Sequence, residues 1–249
     1  MKNESLPVVL TGATGSIGRE IARGLCEKGE SLILACRNME KAEAFAGELI
    51  EEYPGISVCC RHLDLESPEN VRKFAAGLNG KISGVICNAG IMCRNYRTDR
   101  KGREMSMAVN FFNTVLLAQL LIPKIKDGGA LVFTTSLTRF MIPGSRLVMD
   151  IDAEHFSQLG SYAVSKKAVT LAARELAGQY PPARLRINCA DPGIVDTGMI
   201  RMGRWFDPLA DIFFRPFIRK PRSGSVPAIR AYYAGGTGKI YCKKNIREN

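Results

Sequence analysis

Histidine is nearly absent from this chain, with His62 and His155 the only two in 249 residues. Eight cysteines are scattered at 26, 36, 59, 60, 87, 93, 189 and 242, and none forms a Cys-x-x-Cys pair. Zinc sites draw on four such ligands at short, regular spacings, so no metal is expected. Unpaired thiols of this kind read as reduced and mostly buried, in a cytoplasmic chain. Long apolar runs are missing too. "MKNESLPVVLTG" passes from four polar residues into an apolar stretch too short for a signal peptide, and no run of about 18 uncharged apolar residues follows. No segment is therefore expected to target or span a membrane.

Acidic residues are also in short supply, 24 against 35 Lys and Arg, for a net charge of +11. The deficit is local. Residues 201–249 hold 11 Lys/Arg against 3 Asp/Glu (+8), whereas residues 1–200 hold 24 against 21 (+3). With 46% hydrophobic and 24% charged residues, and no repeat or low-complexity tract, the rest has the composition of an ordinary globular protein of one domain.

Apolar runs rich in β-branched residues recur at "LPVVLTG", "SLILACR", "ISVCCRHLDL", "ISGVICNAG", "GALVFTTS" and "ARLRINCADPG". A short last strand is expected near "GKIYC". Helical spacing fills the intervals at roughly 17–28, 38–53, 67–79, 101–126 and 157–179. Continuous apolar strands alternating with such helices predict a doubly wound α/β domain, a parallel sheet of about seven strands covered on both faces.

"VVLTGATGSIGREIARGL" sets a glycine-rich turn between the first strand and the first helix. Gly12, Gly15 and Gly18, with Thr14, Ser16 and Ile17 between them, suit a pyrophosphate held at a helix N-terminus. At the end of the second strand, Cys36 fills the position where an NAD enzyme usually carries an acid, and Arg37 follows. A guanidinium can pair with a ribose 2′-phosphate that a carboxylate would repel, so NADP(H) is the expected cofactor. Asp64 and Leu65 close the third strand; Asp64 suits either an adenine amino group or the cap of the next helix. Asn88, Ala89 and Gly90 make a tight turn after the fourth.

Tyr162 and Lys166 lie four apart in "SYAVSKKAVTLAAREL", on one face of a helix, where a phenol and an ammonium can share a site or simply decorate an amphipathic helix. With "TGATGSIG", "CNAG", Asn110, Ser136, "YAVSK" and "DPGIVDTGM" in this order, the chain resembles the short-chain dehydrogenase/reductase family along nearly its whole length. "LACRNMEKAE", the 25 residues between Ser136 and Tyr162, and the C-terminal tail resemble the retinol dehydrogenase group and its WW-domain-containing relatives.

The resemblance implies an oxidoreductase in which Tyr162 is the general acid or base. Lys166 would hold the nicotinamide ribose and lower the phenol's pKa, Ser136 would bond the substrate oxygen, and Asn110 would support a water chain to Lys166. Pro192, Gly193, Val195 and Thr197 would bind the carboxamide end. It also implies a homodimer or homotetramer. Residues 1–135 would be mainly dinucleotide-binding and residues 136–249 would carry catalysis and substrate, with a lid over about 194–222.

Two departures qualify this pattern. Gly12-x-x-Gly15-x-x-Gly18 matches the branch that includes nucleotide-sugar epimerases and dehydratases with retained cofactor, and Phe111 and Asn113 replace a usual His and Gly. A non-catalytic NADP-binding sensor is the rival from another class, against which the set Asn110, Ser136, Tyr162 and Lys166 argues.

Phe140, Met141, Ile142, Leu147, Val148 and Met149 give the interval before Tyr162 an apolar character suited to a small lipophilic carbonyl or alcohol substrate. His155 there reads as an ordinary surface or packing residue. In residues 201–222, arginines interleave with Trp205, Phe206, Phe213, Phe214 and Phe217. A lid alone and a lid that also touches an anionic membrane surface both fit, and nucleic acid is set aside.

Overall fold

The computed structural model describes residues 5–143, 147–193, 220–243 and 245–248. The strands are β1 (Val8–Thr11), β2 (Leu32–Cys36), β3 (Val58–His62), β4 (Ile82–Cys87), β5 (Ile125–Thr134), β6 (Leu185–Ala190), β7 (Lys239–Tyr241) and β8 (Ile246–Glu248). They form one sheet in the order β3-β2-β1-β4-β5-β6-β7-β8, parallel throughout except for the antiparallel β7–β8 pair. The sheet thus has eight strands where about seven were expected. The extra one, β8, is three residues long and lacks the apolar run by which the others are read. Every residue of β1, β2 and β4 is buried, as strands covered on both faces require.

Helices α1 (Ser16–Cys26), α2 (Met39–Glu52) and α3 (Pro68–Gly77) follow the first three strands. Side chains start two of them: Asn38 accepts from the Lys41 N–H and Ser67 from the Asn70 N–H, each satisfying a free donor of the first turn. The predicted helix over 101–126 is composite, made of α4 (Met105–Met107), a π-helical turn (Ala108–Asn113), α5 (Thr114–Leu121) and a 3-10 turn (Ile122–Lys124). This run, Met105–Lys124, is long and apolar enough to cross a membrane by length and composition, contrary to expectation, but 67% of its apolar window is buried inside the domain. After β5 come a 3-10 turn (Leu137–Met141) and α6 (Gln158–Gln179), capped by Ser157.

Helix α7 (Pro221–Tyr233) was not legible, because Pro221, Gly224 and Pro227 punctuate it. It forms where packing supports it. Gly24 of α1 makes room for Ile229, and Tyr232 reaches across β4 to donate to Ser83 Oγ at 3.1 Å. Apolar side chains of α1, α2 and α7 fill one face of the sheet, and those of α3, α5 and α6 fill the other.

Strand order reverses between β1 and β4, so the loops leaving these two strands diverge and open a crevice at their carboxyl ends. Gly84 keeps β4 seated beside β5, since a Cβ there would lie 2.4 Å from the Ala130 carbonyl oxygen and 2.7 Å from the Tyr232 ring. Gly84→Ala is expected to destabilise the protein by about 1–3 kcal/mol through overpacking. Calorimetric melting checks this, and an unchanged melting temperature would contradict it.

Candidate active site

The crevice is a cavity of about 870 Å³ whose walls come from the carboxyl ends of β1, β2, β3, β4 and β5, the start of α6, and the turn after β6. At one end lies the glycine turn. Gly12 has φ +68°, a left-handed conformation, and a Cβ there would lie 2.8 Å from Ala89 Cα. A Cβ on Gly18 would lie 2.1 Å from the Gly12 carbonyl oxygen, so α1 can start this close to β1 with glycine there and with no larger residue. Gly15 caps α1 with no side-chain hydrogen bond, and no acid occupies the first turn. Thr14, Gly15, Ser16 and Ile17 line the cavity there. A dipole-positive helix end with free N–H groups fits a pyrophosphate.

Across the turn, Asn88 and Ala89 donate their backbone N–H groups to Thr11 Oγ1 at 3.0 Å, and Asn88 Nδ2 reaches the Thr11 and Gly12 carbonyls at 3.3 Å. Asn88 therefore pins the glycine turn while lining the cavity. Asp64 does not cap α3, a role taken by Ser67. It accepts from the Glu66 N–H at 2.9 Å and faces the cavity beside Leu65. Asn113, the departure from the usual glycine, is buried and donates to the Leu65 carbonyl at 2.8 Å. It thereby fixes the wall that Asp64 and Leu65 form.

Arg37 lies in the wall as expected, but it is not free. Glu66 pairs with Arg37 Nη1 at 2.9 Å and grips Arg97 through both carboxylate oxygens, each at 2.9 Å. The hydrogen bond from Arg97 holds the Glu66 carboxyl below its usual range, with the nearby charges of Arg97 and Arg37 adding to it. Lys41, one turn into α2, adds a second cation to the same wall. Sequence reading missed it, although its spacing four residues after Arg37 could have marked it. At Cys36, burial raises the thiol's pKa against the backbone N–H groups of Ala13 and Thr14, so a neutral thiol stands where an acid would.

Tyr162, Lys166 and Ser136 converge at the other end. Lys166 Nζ donates to the Thr134 carbonyl at 2.8 Å and sits 5.7 Å from the Tyr162 ring centroid. Asn110 stands in the π-helical turn, with its side chain directed to the Ile91 backbone and to Ser165. There Oδ1 accepts from the Ile91 N–H at 2.8 Å, while Nδ2 donates to the Ile91 carbonyl at 2.8 Å and to Ser165 Oγ at 2.9 Å. A Cβ on Gly90 would lie 3.2 Å from both Asn110 Oδ1 and Lys166 Nζ, so glycine leaves open the space between them. Pro192 and Gly193 border this end, while Val195 and Thr197 lie outside the described residues. His155 is exposed and paired with Asp152 at 2.7 Å, away from the chemistry.

Burial pushes the Tyr162 phenol up to about 12, against a hydrogen bond with Ser136 that pulls it down. Burial likewise brings Lys166 down to about 8, despite Cys189, Cys87 and Asp191, which raise it.

A family model described as short chain dehydrogenase matches residues 7–204. The chain belongs to the short-chain dehydrogenase family. Within it, the chain is similar to the retinol dehydrogenase group. It is 30% identical to retinol dehydrogenase 12 of Bos taurus over 95% of this chain and 78% of that protein, and 31% identical to retinol dehydrogenase 11 of Homo sapiens over 92% and 73%. A short chain dehydrogenase from Escherichia coli CFT073, solved in complex with NADPH, superposes with a TM-score of 0.72 at 26% identity, covering 98% of this chain and 100% of that one. This short-chain dehydrogenase is thus an oxidoreductase acting on CH–OH or C=O groups with a nicotinamide cofactor, and the glycine turn, free helix end and Tyr162–Lys166 pair present the cradle such a cofactor fits.

The folded chain releases the Lys166 proton near pH 8, whereas the unfolded chain keeps it to about 10.5. Below pH 8 both states hold the proton and the buried charge weakens the fold. Between pH 8 and 10 the unfolded state binds more protons, so stability rises with pH. Urea unfolding of the protein without cofactor should show the wild type gaining on Lys166→Met across this window, and parallel curves would contradict the burial effect.

Proposed function

We propose that the protein is an NADP(H)-dependent reductase of small lipophilic aldehydes or ketones, running in reverse as an alcohol dehydrogenase. The observation that carries this reading is the meeting of Tyr162, Ser136 and Lys166 at one end of a single crevice whose other end is a helix N-terminus built for phosphate. When bound, a nicotinamide cofactor supplies the hydride in reduction and accepts it in oxidation.

The protein's own residues do the rest. Ser136 would donate to the substrate oxygen as negative charge grows on it, and Tyr162 would deliver the proton that turns it into an alcohol. Lys166 would hold the nicotinamide ribose and Asn110 would keep the Ile91 backbone beside it. Pro192, Gly193, Val195 and Thr197 would hold the carboxamide end.

Preference for NADP rests on the neutral Cys36 and on Arg37 with Lys41 beside it, and the NADPH held by the Escherichia coli structure accords with it. The lipophilic substrate rests on Leu137 and Met141, which line the crevice, and on the apolar character of the interval before Tyr162, where Phe140, Val148 and Met149 are exposed. Cytoplasmic location, a homodimer or homotetramer, and lid closure with peripheral membrane contact through residues 201–222 belong to the same proposal. Residues 194–219 lie outside those described.

Consumption of NADPH and NADH, followed at the nicotinamide absorbance across aliphatic, aromatic and isoprenoid aldehydes and ketones, tests the reading. Turnover should prefer NADPH and fall at least 100-fold in Tyr162→Phe, the scale of a lost general acid. Preference for NADH would overturn the role of Arg37 and Lys41. Sedimentation with anionic liposomes at low salt checks the membrane contact, and protein left in the supernatant would refute it.

A further inference from the structure

Behind Ser136, outside the set read from the sequence, lies a buried ion pair. Arg139, in the turn Leu137–Met141, is 2% exposed, and Asp191, just past β6, is 1% exposed. Arg139 Nη1 donates to Asp191 Oδ2 at 2.5 Å and to the Ser136 carbonyl at 2.6 Å. Asp191 Oδ1 accepts from the Gly193 N–H at 2.9 Å, and the Asp191 N–H donates to the Tyr241 carbonyl at 2.9 Å.

We propose that the Arg139–Asp191 pair is a positioning clamp, tying the loop that carries Ser136 to the turn at Pro192-Gly193 and offsetting part of the charge by which the Asp191 carboxylate bears on Tyr162 and Lys166. The catalytic part rests on the reading of Ser136 and Tyr162 above; the electrostatic part does not. An apolar pair of like volume would join the two segments with less desolvation. What the ions add is direction, because a planar guanidinium fixes the carboxylate and the Ser136 carbonyl together. Arg139 Nη2 has no partner among the described residues, which marks the cost of the arrangement.

Among the described residues, other charges near the site are few. Lys166 faces Tyr162 from the same helix and Asp191 faces both from β6, while Cys87 at the end of β4 and Cys189 in β6 face Lys166. Arg139 stands behind Asp191 and is the cation paired with it.

The test uses Arg139→Met, Asp191→Asn, the double variant and Arg139→Lys, each carrying ¹³Cε-labelled lysine, with the Lys166 resonance assigned by its loss in Lys166→Met. The clamp predicts opposite movements of the Lys166 titration. It should move up by about one unit in Arg139→Met, where the carboxylate is unbalanced, and down by a similar amount in Asp191→Asn, where the guanidinium is. It should stay near the wild-type value in the double variant and in Arg139→Lys. A purely structural pair would move both single variants the same way or neither, and that result overturns the balancing role.

The double variant should also bind NADPH, followed by fluorescence, within about threefold of wild type while losing at least tenfold in kcat. Arg139→Lys should recover part of that loss, and wild-type kcat in the double variant overturns the positioning role. Should the single variants not fold, the double variant decides alone by these two measurements. If the wild type turns over no substrate, the proposed function fails while the lysine titrations still judge the clamp.

Discussion

The working end of the sheet depends on how closely α1 approaches the turn that leaves β1. With no side chain on Gly18, the helix begins against the Gly12 carbonyl, and the left-handed Gly12 in turn passes close beside Ala89. Those two contacts bring the helix N-terminus and the end of β4 to opposite sides of one crevice, and Thr11 and Asn88 lock them there by hydrogen bonds across the switch point. A larger residue at either glycine would separate the phosphate end from the chemistry. Gly15, whose Cβ would meet nothing closer than 3.5 Å, is under no such constraint. The unusual glycine spacing therefore leaves the close approach intact.

At the other end the constraint is burial. Tyr162 and Lys166 are placed by one helix, but their acid–base character is set by low polarity around them. Each is held in its neutral form over a wider pH range than in water. The few polar partners that remain therefore carry unusual weight. Ser136 bonds the phenol, the Thr134 carbonyl takes the Lys166 amine, and Asp191, paired with Arg139, is the one carboxylate among the described residues that bears on both. Asn110, in a π-helical turn, completes this end by holding the Ile91 backbone with its amide.

Several parts of this arrangement could be read from the chain before folding. Local patterns suffice where the physics is local. Apolar runs marked six of the eight strands, and a hint at "GKIYC" marked β7. Helical spacing located α1, α2, α3 and α6 to within a few residues, and the i, i+4 placement of Tyr162 and Lys166 survives unchanged because both belong to one helix. Helix α7 and strand β8 escaped because prolines and short length hide them locally while tertiary partners, α1 for the one and β7 for the other, supply the stability.

By itself, then, the sequence determined the doubly wound class, the strand-turn-helix that opens the crevice, and the candidate set of Tyr162, Lys166 and Ser136, since each is encoded within a few neighbouring residues. Only the tertiary structure decided what surrounds them. Glu66 occupies Arg37 and Arg97 together, Asn113 holds Leu65, Lys41 joins the cofactor wall, and Arg139 meets Asp191 across 52 positions of chain. Charge balance and desolvation depend on distances through space between segments remote in the chain, and a linear pattern carries no record of those distances.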